Sequence, residues 1–108
     1  MDVNVNNQAS STVLVVDDKP NMLRLMAKVL SADARILTAE GGQQAIQILE
    51  KEPVDVVLCD VRMPDVDGVQ VLAACKRLRP RAQVILMTAY ASVNTAVDAL
   101  RLGAFDYL

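Results

Sequence analysis

The residues of this chain best suited to chemistry are carboxylates. Asp17 and Asp18 close the apolar run Val13-Leu14-Val15-Val16, and Asp60 closes a second run from Val54 to Cys59. If these runs are neighbouring strands, about 4.8 Å apart, their carboxyl ends bring the acids within a few ångströms of one another. Crowded negative charges repel and favour a bound cation. An all-oxygen donor set suits a hard ion, and Mg2+ is the one that keeps waters and shares substrate phosphate. The plainer roles for such acids are helix caps and solvated strand ends. Asp18 is placed to cap a helix opened by Pro20.

What is absent narrows the chemistry. The chain has no histidine, which excludes a Ser-His-Asp or Cys-His active site, a His-bound metal and a phosphohistidine donor within it. Cys59 and Cys75 are too few for a zinc site and lie in apolar segments, so both read as small core residues. Eleven Lys and Arg against thirteen Asp and Glu leave a net charge of −2, with no basic surface for nucleic acid. The N-terminus lacks the basic and apolar regions of a secretory signal. No apolar run approaches the ~20 residues that span a bilayer. The cytoplasm is the default expectation, and a disulfide is not expected there.

The elements that must position the acids follow from patterning. At 108 residues the chain has the length of one domain. Residues 1–11 are polar and Asn-rich and are expected to form a flexible tail, with the folded domain spanning 12–108. Val13 to Val16, Val54 to Cys59 and Val84 to Met87 are continuous apolar runs, as in strands covered by helices on both faces. Arg35 to Ala39 has a charged start that suits an edge strand, and Phe105 to Leu108 begins a fifth.

Helical spacing fills the gaps. Pro20 opens a first helix with Leu23, Met26, Ala27 and Leu30 inward. A second runs from about Gly42 to Lys51, with Ala45, Ile46 and Leu49 on one face. A third runs from about Val69 to Leu78, with Val69, Leu72, Ala73 and Lys76 on one stripe. A fourth, from Ser92 to Leu102, turns Val93, Ala96, Val97 and Leu100 inward and ends at Gly103 as the C′ residue.

This alternation predicts an α/β fold with a doubly wound parallel sheet. Right-handed crossovers and the edge character of the second strand give the order 2-1-3-4-5. Helix one lies on one face, and helices two to four on the other. The reversal between strands two and three opens a crevice at the ends of strands one and three, where such sheets place ligands. With helix one alone on its face, apolar side chains of strands one and three and part of helix one are expected to be open to water. Self-association through that face, as a homodimer for instance, is the expected consequence.

Four segments carry a family resemblance: V-L-V-V-D-D-K-P, V-L-C-D-V-R-M-P-D-V-D-G, V-I-L-M-T-A-Y and G-A-F-D-Y-L. Together they resemble the receiver domains of bacterial two-component response regulators, which have flavodoxin-like strand order. From Thr88 onward the chain looks most like receivers attached to sigma-54-dependent transcription activators.

The resemblance implies a phosphoprotein, not a turnover enzyme. Asp60 accepts a phosphoryl group from the phosphohistidine of a sensor histidine kinase, and an acyl phosphate keeps high transfer potential. Asp18 and Asp60 ligate Mg2+ directly, Asp17 acts through a water, and the main-chain carbonyl of Arg62 completes the protein ligands. Thr88 and the Ala89 amide contact the phosphoryl oxygens. Met63-Pro64 and Asp65 to Gly68 shape the loop beneath the acceptor, with Gly68 free in conformation. Thr88 and Tyr107 form the switch to a C-terminal output domain, expected to be ATPase and DNA-binding.

Receivers also carry a Lys after the fifth strand, and then a fifth helix. The chain stops at Leu108 before both, so an incomplete receiver is expected, and neither Lys19 nor Lys51 matches that position. Two other classes compete. One is a pure interaction or dimerisation module. The other is a phosphatase of the haloacid dehalogenase type, which wants a second acid where Arg62 stands. Dinucleotide binding is excluded because no G-x-G-x-x-G follows the first strand.

Overall fold

In the computed structural model, residues 11–32, 34–87 and 103–104 are described, with the main chain of 106–107. Strand β1 (Ser11–Val16) leads to helix α1 (Pro20–Leu30), and β2 (Ala34–Ala39) leads to α2 (Gly42–Lys51). Strand β3 (Val56–Asp60) leads to α3 (Gly68–Leu78), followed by β4 (Gln83–Met87) and the short β5 (Asp106–Tyr107). All the strands pair in parallel, in the order β2-β1-β3-β4-β5. This is the expected order, with the reversal between β2 and β3. Ser11 begins β1 rather than ending a tail. The expected fourth helix, 92–102, and the tail up to residue 10 lie outside the described residues.

Helices flank the sheet and cover its inner strands, while the edge strand β2 keeps Arg35 and Thr38 exposed. On one side Leu14, Val16, Val57, Cys59, Val84 and Leu86 pack with Ala45 and Leu49 of α2 and Leu72 and Cys75 of α3. On the other, Val13 and Val15 pack with Leu23, and Met26, Leu30, Ile36, Val56 and Leu58 surround them. Fully burying a Val or Leu stabilises by roughly 1.5–3 kcal/mol, so these two layers set the strand register.

Two expectations change here. The inward stripe of α3 is Val71, Leu72, Ala74 and Cys75, whereas Ala73 is exposed and Val69 and Lys76 are half-buried. The helix is rotated because Asp67 caps it and Gly68 is already its first, buried residue. The face of β1 is also less open than expected: α1 alone closes Val13 and Val15, leaving Val56 and Leu58 of β3 half-buried. The outer side of α1 does expose apolar surface, with Met22 at 38%, Leu25 at 55% and Val29 at 63%.

Candidate cation and phosphoacceptor site

The site is built by the ends of β1 and β3. Val16 pairs with Cys59, so Asp17 and Asp60 follow side by side on adjacent strands. Main-chain bonds fix both ends: Asp17 N–H donates to the Ala39 carbonyl at 3.1 Å, and Val61 N–H donates to the Met87 carbonyl at 3.1 Å. Asp17 and Asp60 are buried and Asp18 is exposed, and carboxylate oxygens of all three lie within 4.8 Å of one another. The three acids singled out from the sequence therefore converge.

Their hydrogen bonds assign each a position. Asp17 Oδ1 accepts from Lys19 N–H at 2.9 Å. Asp60 Oδ1 accepts from Arg62 N–H at 3.2 Å, which places the Arg62 main chain at the Asp60 carboxylate. Asp18 was a candidate helix cap, but the N-cap of α1 is Lys19, and no side chain caps that end. Asp18 is thus available to the crevice.

One residue at the site escaped the sequence reading. The Lys19 ammonium lies 3.2 Å from Asp60 Oδ2, 3.3 Å from Asp17 Oδ1 and 3.3 Å from Asp18 Oδ1. The carboxylates, Asp60 first and then Asp17, hold this lysine charged and raise its pKa above the ordinary 10.5. The available signal was a base directly after an acidic pair and directly before the Pro that opens a helix.

The loop from Val61 to Asp67 seals the crevice from below. Asp65 takes a positive φ of 67°, a conformation an Asp tolerates better than most residues. Gly68 does not need conformational freedom as expected, because its φ is not in the left-handed region. It needs space: a Cβ there would lie 2.6 Å from the Asp60 carbonyl oxygen and 2.8 Å from Val61 Cα. A capping box at Asp67 and Gln70, also unread in the sequence, holds α3 in this approach.

The donor set fits a hard divalent cation. It is all oxygen, partly buried, and surplus in negative charge, with one ammonium as its counter-ion in the described structure. Thr88 and Ala89 lie outside the described residues. So does the side chain of Tyr107, whose main chain pairs with Leu86 in β5. Cys59 and Cys75 are free and buried, the core positions expected of them.

A doubly wound parallel sheet with three carboxylates gathered at its switch point defines an α/β protein whose binding site lies at the strand ends. Residues 13–108 match the response regulator receiver domain family, and the chain belongs to it. Among curated relatives, the transcriptional regulatory protein ZraR of Escherichia coli is 42% identical over 97 residues, which is 89% of this chain. The regulatory protein AtoC of the same organism is 42% identical over 101 residues, 93% of this chain. These relatives agree with the likeness to sigma-54-dependent regulators read from the sequence. The chain spans about 22% of the length of either.

Solved structures agree. A CheY-like receiver domain from Methanospirillum hungatei superposes with a TM-score of 0.89 at 28% identity, covering 93% of this chain and 81% of that one. A response regulator from Burkholderia pseudomallei, solved with a phosphorylated aspartic acid, a calcium ion and citrate, gives 0.86 at 27% identity. That match covers 91% of this chain and 58% of the other.

Proposed function

We propose that Asp60 accepts a phosphoryl group from the phosphohistidine of a sensor histidine kinase, and that the phosphorylated form switches a C-terminal output domain, one that activates transcription. An Asp60 oxygen attacks phosphorus as the P–N bond breaks, and the histidine nitrogen leaves with the electron pair and takes up a proton. Asp18, Asp60 and the Arg62 carbonyl would hold Mg2+ directly and Asp17 through a water, and the ion would supply charge neutralisation for the incoming phosphoryl oxygens. Thr88 and Ala89 serve as phosphoryl contacts and Tyr107 as the switch. The chain acts as an acceptor rather than a turnover enzyme, in the cytoplasm. No helix among the described residues is long and apolar enough to cross a membrane.

The observation that carries this reading is the convergence of Asp17, Asp18 and Asp60 at the ends of adjacent central strands. The phosphorylated aspartic acid of the Burkholderia pseudomallei regulator supports it. Labelling with acetyl phosphate and Mg2+, followed by mass spectrometry, tests it. One phosphoryl group on Asp60, absent from Asp60→Asn, is expected; label on Asp60→Asn overturns the assignment.

A second reading, an interaction or dimerisation module, is favoured by the exposed stripe Met22, Leu25 and Val29 on α1. It predicts no labelling, and a sedimentation coefficient that rises with concentration and reverts in Leu25→Ser.

A further inference from the structure

We propose that Lys19 is a tethered cation that competes with the divalent ion for the three carboxylates, so that metal binding is an exchange rather than a filling. The inference rests on the reading of Asp17, Asp18 and Asp60 as the cation ligands. The ammonium donates to Asp60 Oδ2 at 3.2 Å and to Asp18 Oδ1 at 3.3 Å, and forms an ion pair with Asp17 Oδ1 at 3.3 Å. It therefore sits at the focus of the same negative charge that attracts a metal.

The two cations exclude each other. Mg2+ needs its oxygens at about 2.0–2.1 Å, and a second positive charge among those oxygens is repelled from it. The Lys19 side chain is 61% exposed, so it has room to swing into water. Its main chain is anchored as the N-cap of α1 and need not move. The arrangement also engages the acceptor itself. Asp60 Oδ1 takes the Arg62 N–H and Oδ2 takes Lys19, so both oxygens of the attacking group are occupied before the ion arrives.

Two consequences separate this role from that of an ordinary surface lysine. Removing the ammonium leaves three like charges uncompensated, so the ion-free protein loses stability while its affinity for the ion rises. Supplying Mg2+ then restores the stability by mass action.

The experiment compares the chain with Lys19→Gln, whose side chain is one bond shorter, still donates hydrogen bonds and carries no charge. Mg2+ is titrated calorimetrically at fixed ionic strength, and melting is followed in EDTA and in saturating Mg2+. Lys19→Gln is expected to bind Mg2+ about three- to tenfold more tightly, and a tenfold change in Kd corresponds to ~1.4 kcal/mol. It is also expected to melt lower in EDTA and level with the parent in Mg2+. Lys28→Gln, the same charge removed from the far end of α1, is expected to leave the Kd unchanged. In the unmodified chain, Mg2+ is expected to speed acylation of Lys19 by an N-hydroxysuccinimide ester, read by peptide mass. An unchanged or weaker Kd in Lys19→Gln, or acylation indifferent to Mg2+, overturns the competition while leaving the metal site standing. If neither protein binds Mg2+, or if Asp18→Asn binds it as well as the parent, the metal-site reading itself fails and the inference falls with it.

Discussion

Gly68 lies against the main chain of Asp60, so closely that a Cβ at Gly68 would stand 2.6 Å from the Asp60 carbonyl oxygen. The obstacle is backbone, which cannot rotate away as a flexible side chain would. The first turn of α3 is thereby held against Asp60, and the loop from Val61 to Asp67 is closed by the Gly68 N–H donating to the Val61 carbonyl at 3.0 Å.

Gly68→Ala is therefore expected to push α3 away from β3. Overpacking of this kind costs typically about 1–3 kcal/mol, to be read as a lower urea midpoint at unchanged m-value. Labelling of Asp60 by acetyl phosphate should slow in the same variant under conditions where it is still folded. A substitution of the open Gly41, which has nothing within 4 Å of the added Cβ, is the matched control for a glycine that has space.

Asp17 should separate stability from ion binding. Its Oδ1 accepts the Lys19 main-chain N–H at 2.9 Å and pairs with the Lys19 ammonium at 3.3 Å. Asp17→Asn retains an acceptor for the amide, while Asp17→Ala leaves it unpaired. A hydrogen bond to the neutral asparagine oxygen contributes roughly 0.5–1.5 kcal/mol, so the alanine variant should be less stable than the asparagine variant by about that amount. Both should lose Mg2+ affinity at least tenfold by calorimetry, because a neutral amide is a poor substitute for a charged ligand.

The capping box of α3 offers a test away from the charges. Asp67 Oδ1 accepts from Gln70 N–H at 2.9 Å, and Asp67 N–H donates to Gln70 Oε1 at 2.9 Å. Asp67→Ala is expected to lower stability by about 0.5–2 kcal/mol in denaturant melts. Asp67→Ser should recover most of that loss. Neither should change the position of the label on Asp60.

The buried thiols define the alkaline limb of stability. Burial, followed by the negative charge of Asp60 and Asp17, pushes the Cys59 thiol well above its ordinary 9.0. Burial also raises Cys75, opposed by Lys76 and Arg79. The fold therefore keeps protons that the unfolded chain releases. Stability is fully present below about pH 9 and declines above it, by up to about 1.4 kcal/mol per pH unit for each thiol. Urea melts at pH 7.5 and pH 10 should show the decline, and Cys59→Ala with Cys75→Ala should flatten it. Native alkylation by iodoacetamide should be slow for both thiols until denaturant is added.

Much of this molecule was legible because one physical rule governs it: continuous apolar runs must be covered on both faces. That rule placed β1, β3 and β4 in the sheet's interior, and the charged start at Arg35 placed β2 at its edge, which together yield the order and the crevice. Asp17, Asp18 and Asp60 followed because strand ends are local in sequence. The unread features depend on contacts across the chain. Gly68 looked like a conformational residue until Asp60 proved to stand over it. The α3 stripe was set by the cap at Asp67, which rotated the helix away from the spacing that Val69 and Ala73 suggested. Lys19 was dismissed because its position matched no expected lysine, and only the fold shows where its side chain reaches.

The pairing of Val16 with Cys59 has a bearing on how the chain folds. Side chains alternate along a strand, so a slip of one residue between β1 and β3 would send Asp60 to the opposite face and scatter the carboxylates. An ion that needs all three can bind only the correctly registered sheet. On the proposed reading of these carboxylates as ion ligands, its binding free energy would be withheld from every misaligned pairing and would favour the native register of the central strands.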